Sequence, residues 1–143
     1  TEKGTIIVDF THTPEGLKNL LSTARTITKS RLITLFGCGG ERDKTKRAAM
    51  GKIASKYSDY IILTSDNPRS EDAFDIIKQI EWGVTIKDVK CIVDRPEAVR
   101  FALSEMEEGD TLVLAGKGNE NYLEIKGKKI PYSDFDMIAR YAR

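Results

Sequence analysis

An α/β fold is what this sequence predicts, and three features carry the prediction. Five short apolar runs recur along the chain, at residues 4–10, 31–37, 60–66, 89–94 and 110–116. Stretches with helical spacing of apolar residues alternate with them. The runs are almost continuously apolar, GTIIVDF and RLITLFG among them, which suits strands covered on both faces. Together these features imply a Rossmann-like, mostly parallel sheet with helices on both faces and right-handed crossovers.

The elements follow in order. Behind the first run, THTPEG offers Thr13 as an N-cap and Pro14 at the first helical position, and the helix carries Leu17, Leu20, Leu21 and Ala24. The second run leads through the loop CGGERDK, residues 38–44, into a helix with Ala48, Met50, Ile53 and Ala54. After the third run, NPRSED places Ser70 as the cap of a helix bearing Phe74, Ile76, Ile77 and Ile80. Asp94 ends the fourth run and caps the next helix, with Glu97 at the third position of a near capping box. The fifth run closes the alternation. YLEIKGKKIPY then alternates around Gly127 and predicts a β-hairpin, an antiparallel edge to the sheet, before a last helix that starts after Ser133.

The 143 residues fit one domain, and 40% apolar with 31% charged residues excludes the disordered and fibrous classes. A formal charge of +1 gives no pull toward nucleic acid or an anionic bilayer, so neither is expected as a partner. No apolar run approaches the ~20 residues that span a membrane, and no secretory leader opens the chain, so a cytoplasmic location is expected. Cys38 and Cys91 lie in or beside apolar runs and read as small buried hydrophobes in a reducing compartment. With His12 as the single histidine, no metal-ligand spacing exists and no metal site is expected. A strand pattern beginning at Gly4, behind a first residue that is Thr, reads as a piece cut from a longer protein, although N-terminal processing also removes methionine.

Ligands of open parallel sheets bind beyond the carboxyl ends of the strands. Four loops there are rich in glycine, proline and polar residues: DFTHTP (9–14), GCGGERDK (37–44), SDNPR (65–69) and GKGNE (116–120). The opposite edge carries plain turns such as TKS and EEGD. GCGGERDK admits close backbone approach and anion binding at a helix N-terminus, or is equally a glycine-rich turn with surface charges. It is no dinucleotide fingerprint, since Arg42 stands where the third glycine belongs, and no GK[ST] phosphate loop occurs in the chain. In SDNPR, Pro68 stiffens the turn, Asn67 donates and accepts, and Arg69 can grip a carboxylate with two parallel bonds; the alternative is an Asx turn with Arg69 solvated. In GKGNE, Gly116 allows close approach and Glu120 can accept from an ammonium, against the alternative of a loose surface turn. Asp9 suits ribose hydroxyls and His12 a nucleotide, against turn chemistry and half-exposed packing. As a set, arginines for carboxylates and a glutamate for an amine suit a zwitterionic amino acid better than a hydride donor.

DFTHTP, FGCGGERD, TSDNPRSED and AGKGNE, in this order and spacing, with IPYSD near the end, closely resemble the C-terminal domain of the Mur ligases, of the type that adds meso-diaminopimelate to the peptidoglycan stem peptide. The likeness covers essentially residues 1–143. It implies a parent enzyme with two further domains, absent from this chain: one for the UDP-sugar substrate and a central ATPase that binds most of the ATP and Mg2+. That enzyme activates the terminal carboxylate of UDP-N-acetylmuramoyl-L-alanyl-D-glutamate as an acyl phosphate, which the amine of the incoming amino acid attacks. By the same likeness, Asp66, Asn67, Pro68 and Arg69 form the recognition motif for meso-diaminopimelate, with Asn67 and Arg69 on the carboxylate and amine of its distal stereocentre. Arg42 matches a further carboxylate-binding arginine, Gly116 and Glu120 the remaining distal contacts, and Asp9 and His12 the segment that faces ATP. No catalytic residue or metal ligand is carried over onto this chain. Position 119 departs from the pattern, with Asn where the family usually has His.

Three other readings are weighed against this one. A ligase of the same type could use L-lysine or another amino acid, although Arg69 favours meso-diaminopimelate. A stand-alone nucleotide-binding Rossmann-like module predicts dinucleotide binding without the third fingerprint glycine. A catalytically dead interaction domain predicts no ATPase domain upstream. The isolated domain is expected to be inactive as a ligase.

Overall fold

The computed structural model describes residues 3–142. Five parallel strands make the sheet: β1 (Gly4–Asp9), β2 (Leu32–Phe36), β3 (Tyr60–Leu63), β4 (Val89–Cys91) and β5 (Asp110–Ala115), in the order β1-β5-β2-β3-β4. Helices α1 (Pro14–Ile27), α2 (Thr45–Tyr57), α3 (Ala73–Glu81) and α4 (Arg95–Glu105) connect them. A two-stranded antiparallel sheet, β6 (Tyr122–Ile125) and β7 (Lys128–Pro131), and helix α5 (Asp134–Tyr141) complete the chain. The expected mostly parallel sheet, flanking helices and hairpin are all present. The hairpin forms a sheet of its own and does not extend an edge of the larger one. It is tied instead to the loop after β3, through an isolated bridge between Arg69 and Ile125.

The strand order explains the two faces. From β1 through β4 the connections advance in one direction, and α1, α2 and α3 pack together on one face through Leu17, Leu21, Met50, Ala54, Ile76 and Ile80. The connection from β4 to β5 runs back across the sheet. With crossover hand conserved, a reversal of direction puts the helix on the other face. There α4 packs through Ala98, Val99, Ala102 and Leu103, joined by Leu123 of the hairpin. Within central β2, Leu32 and Phe36 face the first cluster while Ile33 and Leu35 face the second, the period of two that a doubly covered strand requires. Thr34, also buried, pairs its hydroxyl with Ser58 Oγ at 2.7 Å.

Three local expectations need correction. The cap of α3 is Asp72, whose carboxylate accepts from the Phe74 and Asp75 amides at 2.8 and 3.4 Å; Ser70 lies too far upstream and bonds Glu41. The third and fourth runs leave the sheet early, at Leu63 and Cys91, because the residues beyond them serve loops. Cys38 is buried as expected, but Cys91 is exposed, since it lies on edge strand β4. Thr13 and Asp94 cap their helices as read from the sequence, accepting from Gly16 and Glu97, and the last helix starts after Ser133 as expected, with Ser133 accepting from Asp136.

Candidate functional site

The chain's divergence around β5 opens the site. Its neighbours β1 and β2 lead to helices on one face, whereas β5 leads to the hairpin and α5 on the other. Connections that part in this way leave a crevice at the carboxyl ends of the strands. A cleft of about 360 Å³ lies there. Its walls bring together seven of the residues singled out in the sequence: His12, Arg42, Asp66, Asn67, Arg69, Gly116 and Glu120. Phe10, Gly39, Lys46 and Tyr122 complete the lining. Two predicted residues, Asp9 and Pro68, do not line it. Asp9 accepts from the Thr11 amide and hydroxyl at 2.8 and 2.5 Å, which is turn chemistry. Pro68 is buried behind the loop, and its carbonyl accepts from the Glu71 amide at 3.0 Å. Exposed His12 stands on the rim, its Nδ1 2.9 Å from the Phe10 carbonyl.

The loops after β2 and β3 are fastened to each other. The Gly40 amide donates to the Asn67 carbonyl at 2.8 Å, and Arg69 Nη1 donates to the Gly40 carbonyl at 3.0 Å and to that of Asn67 at 3.3 Å. Glu41 accepts from the Ser70 amide and hydroxyl at 3.0 and 2.6 Å, while Glu71 accepts from the Glu41 amide at 2.5 Å. Behind them sits Arg47, fully buried on α2. It donates to both oxygens of Glu71, to Gln79 and to the Gly39 carbonyl, each within 3.1 Å. The Arg47 guanidinium, helped by the Glu41 amide, draws the Glu71 carboxyl down to about 2. One donor, Arg47 Nε, is left without a partner among the described residues.

The loop after β3 is also held from the hairpin side and from below. The Arg69 amide donates to the Glu124 carbonyl at 2.9 Å, and the Lys126 amide to the Arg69 carbonyl at 2.7 Å. Arg69 Nε lies 3.4 Å from Glu124 Oε1. Arg69 itself takes φ +55°, a left-handed conformation that side chains rarely adopt. Beneath, Arg95 donates to the Ser65 carbonyl at 3.0 Å and forks onto Asp134 at 3.1 and 2.9 Å, with Tyr132 donating to the same carboxylate at 2.5 Å. Both Arg95 and Asp134 are fully buried. Burial pushes the Tyr132 phenol far above its ordinary range.

The fourth loop turns sharply. Gly116 and Gly118 have φ +115° and +54°, and a Cβ on Gly116 would meet Asp66 Oδ2 while one on Gly118 would meet Phe10. Between these glycines stands Lys117, which no sequence motif marks as a site residue. Its side chain is fully buried. The ammonium donates to Asn67 Oδ1 at 2.8 Å and to Glu120 Oε1 at 3.2 Å. It also lies 3.1 Å from Asp66 Oδ1, an ion-pair contact at an angle that leaves this oxygen without a hydrogen-bond donor. A lysine between two glycines at the end of an apolar strand is the only trace of this role in the sequence. Arg47, Arg95 and Asp134 carry no local signal for a related reason, since the ion-pair partners lie 24 residues apart for Arg47 and Glu71 and 39 for Arg95 and Asp134. Asn119, the departure from the family pattern, is exposed.

The resulting cleft has two chemical ends. Arg42, Lys46, Asn67 and Arg69 supply donors, and Nη2 of Arg69 bonds no other described residue. Glu120 supplies an acceptor in the same lining. Donors that fork onto a carboxylate, together with a carboxylate in the same cleft, suit a zwitterion. Among the described residues, no three His, Cys, Asp or Glu side chains converge as a metal site.

Residues 1–118 match the family described as Mur ligase, glutamate ligase domain. A diaminopimelate ligase of Aquifex aeolicus, UDP-N-acetylmuramoyl-L-alanyl-D-glutamate--2,6-diaminopimelate ligase, is 49% identical over 139 residues, which are 96% of this chain and 29% of that protein. The ligase of the same name from Prochlorococcus marinus is 48% identical over 94% of this chain and 27% of its own length. A solved structure of a UDP-N-acetylmuramoyl-L-alanyl-D-glutamate--2,6-diaminopimelate ligase superposes with a TM-score of 0.94 at 36% identity, over 99% of this chain and 29% of that one. The chain therefore spans less than a third of the length of the relatives it matches. The Escherichia coli FolC structure with ADP, at a TM-score of 0.59 and 17% identity, shares the fold alone.

Proposed function

This chain belongs to the Mur ligase family, and on that premise we propose that it is the amino-acid-binding domain of an ATP-dependent ligase that joins meso-diaminopimelate to UDP-N-acetylmuramoyl-L-alanyl-D-glutamate. The observation that carries the reading is the convergence of Arg42, Asn67, Arg69 and Glu120, from three separate loops, on one cleft. Two relatives more than 45% identical carry the name of that ligase, which supports the same choice of amino acid.

The cleft would work by positioning. meso-Diaminopimelate has two amines and two carboxylates. Holding the distal carboxylate on Arg42, Asn67 and Arg69, and the distal ammonium on Glu120, leaves the other amine directed out of the cleft. That amine attacks the acyl phosphate of the dipeptide substrate, the carbon–nitrogen bond forms, and phosphate leaves with the oxygen that bound it to the acyl carbon. Orientation of this kind is worth several kcal/mol, up to ~7–11 in favourable cases. L-Lysine lacks the distal carboxylate and would leave the arginines unpaired, a cost of ~1–3 kcal/mol or more.

ATP and Mg2+ serve the activation step. The reading assigns them mainly to a central domain outside this chain, as it does the UDP-sugar, with the rim around His12 turned toward the nucleotide. Gly116 and the buried Asp66 and Pro68 shape the cradle, and Asp9 holds the rim turn. On this reading the nucleotide-linked substrate and ATP imply a cytoplasmic reaction. No helix among the described residues is long and apolar enough to cross a membrane. The isolated domain would not ligate. The test is phosphate release by the full-length protein with ATP, Mg2+ and the UDP-linked dipeptide. Turnover should depend on meso-diaminopimelate and be at least tenfold weaker with L-lysine, in line with the cost of an unmet carboxylate site. Equal use of both amino acids would contradict the assignment.

A further inference from the structure

We propose that Lys117 is a positioning residue for the amino-acid substrate: its buried ammonium decides which atoms of Asn67 and Glu120 face the cleft. The inference rests on the reading above, in which this cleft takes the distal zwitterion.

A lysine in this place has no simple packing rationale. Taking an ammonium out of water is costly, and an apolar side chain of similar length would fill the space without that cost. The charge is retained where two ligand-binding loops meet. Its neighbours are Asn67 Oδ1 at 2.8 Å, Asp66 Oδ1 at 3.1 Å and Glu120 Oε1 at 3.2 Å, with the Tyr122 ring 5.5 Å away. The ammonium thus makes two hydrogen bonds and one further ion-pair contact.

Two consequences follow for recognition. Asn67 Oδ1 accepts from Lys117 and also from the Glu124 amide at 2.9 Å, so both of its lone pairs are engaged and the amide cannot flip. The Nδ2 group, which bonds no described residue, is what remains for a ligand, and it can only donate. Asn67 therefore reads a carboxylate, beside Arg69. Glu120 has one oxygen on Lys117, which leaves Oε2 for an ammonium.

The charges agree with this division. Asp66 and Glu120 are two carboxylates at the acceptor end, and Lys117 offsets one, so a single ligand ammonium balances the rest. Without Lys117, Asn67 is free to turn its oxygen toward the ligand carboxylate, and two uncompensated anions stand next to it. Binding of the diamino acid suffers while the nucleotide is untouched.

The test uses the full-length protein with ATP, Mg2+ and the UDP-linked dipeptide, comparing Lys117→Met and Asn67→Asp with the unsubstituted protein. Each substitution is expected to raise the KM for meso-diaminopimelate about tenfold or more, with the KM for ATP and kcat changed less than about threefold. Asn67→Asp keeps an acceptor for Lys117 and for the Glu124 amide, replaces the donor with an oxygen and adds a negative charge where the ligand carboxylate would sit. If circular dichroism shows that Lys117→Met does not fold, Lys117→Gln, which keeps a donor without the charge, takes its place with the same expectation. A KM for meso-diaminopimelate that stays within threefold in the folded variants, or that rises in parallel with the KM for ATP, overturns the inference. Absence of meso-diaminopimelate-dependent turnover by the unsubstituted protein is a different result: it removes the reading of the cleft, and the inference with it.

Discussion

Gly40 and Pro68 touch so closely that a single methyl group on Gly40 would overlap the Pro68 carbonyl oxygen. The contact joins the loop after β2 to the loop after β3, the two that carry Arg42 and Arg69. Neither residue reaches the ligand through a side chain, yet their distance sets the spacing of the donor wall. Gly40→Ala should push the loops apart and break the Gly40-to-Asn67 backbone bond. The expected result is a loss of stability of ~1–3 kcal/mol, the usual range for overpacking, with a raised KM for meso-diaminopimelate and little change in that for ATP. Denaturant unfolding and steady-state kinetics of the variant measure both.

Arg69 does two jobs at once. Nη1 and Nε hold protein atoms, and Nη2 is left to the cleft. Arg69→Lys keeps a positive charge but not the planar fork. It should weaken meso-diaminopimelate by ~1.5–3 kcal/mol, a KM rise of about tenfold to a hundredfold, and leave the KM for ATP in place. Equal changes in both constants would show that Arg69 supports the fold and does not read the amino acid.

Glu71 makes the loop pair sensitive to acid. Arg47 and the Glu41 amide hold its carboxyl near 2, below the ordinary 4.5. A depressed folded-state value means that the group's contribution is complete above the unfolded value and fades as protons bind the folded form. Stability from this contact is therefore full at neutral pH and is lost as pH falls from about 4.5 to about 2. In Glu71→Gln that part of the acid sensitivity should disappear, which thermal melts of both proteins across this pH range would register.

Arg95 and Asp134 are a buried pair whose separation is expected to cost more than either is worth together. Asp134→Ala leaves a guanidinium in the interior with no anion, and breaking such a pair typically costs ~3–5 kcal/mol. Replacing both, as Arg95→Met with Asp134→Leu, should recover most of that loss, because no buried charge is left unpaired. A double variant no more stable than Asp134→Ala, by chemical denaturation, would contradict this account of the pair.

How much of this was legible in the sequence follows from the range of each interaction. β2 and β5 were readable because their apolar runs are local facts, and so were the caps at Thr13 and Asp94 and the helix start after Ser133. Ser70 was mistaken for a cap because its hydroxyl is as suitable as the Asp72 carboxylate; only the path of the chain beyond Arg69, with its left-handed φ, separates them. The rim of polar loops around the cleft could be read because parallel order places alternate connections on one edge. The interleaved position of β5 could not, since no local signal records that it slips between β1 and β2. Lys117 shows the limit most clearly. Its charge looks solvent-seeking in GKGNE, and its burial depends on Asp66 and Asn67, with Asn67 50 residues away.

The loops after β2, β3 and β5 are proposed to form one cradle for the distal end of a diamino acid, and a crystal structure of the full-length protein with meso-diaminopimelate tests this most directly. The account predicts the distal carboxylate among Arg42, Asn67 Nδ2 and Arg69, and the distal ammonium on Glu120. A distal end seated outside this cleft, or turned so that its ammonium faces Arg69, would contradict it.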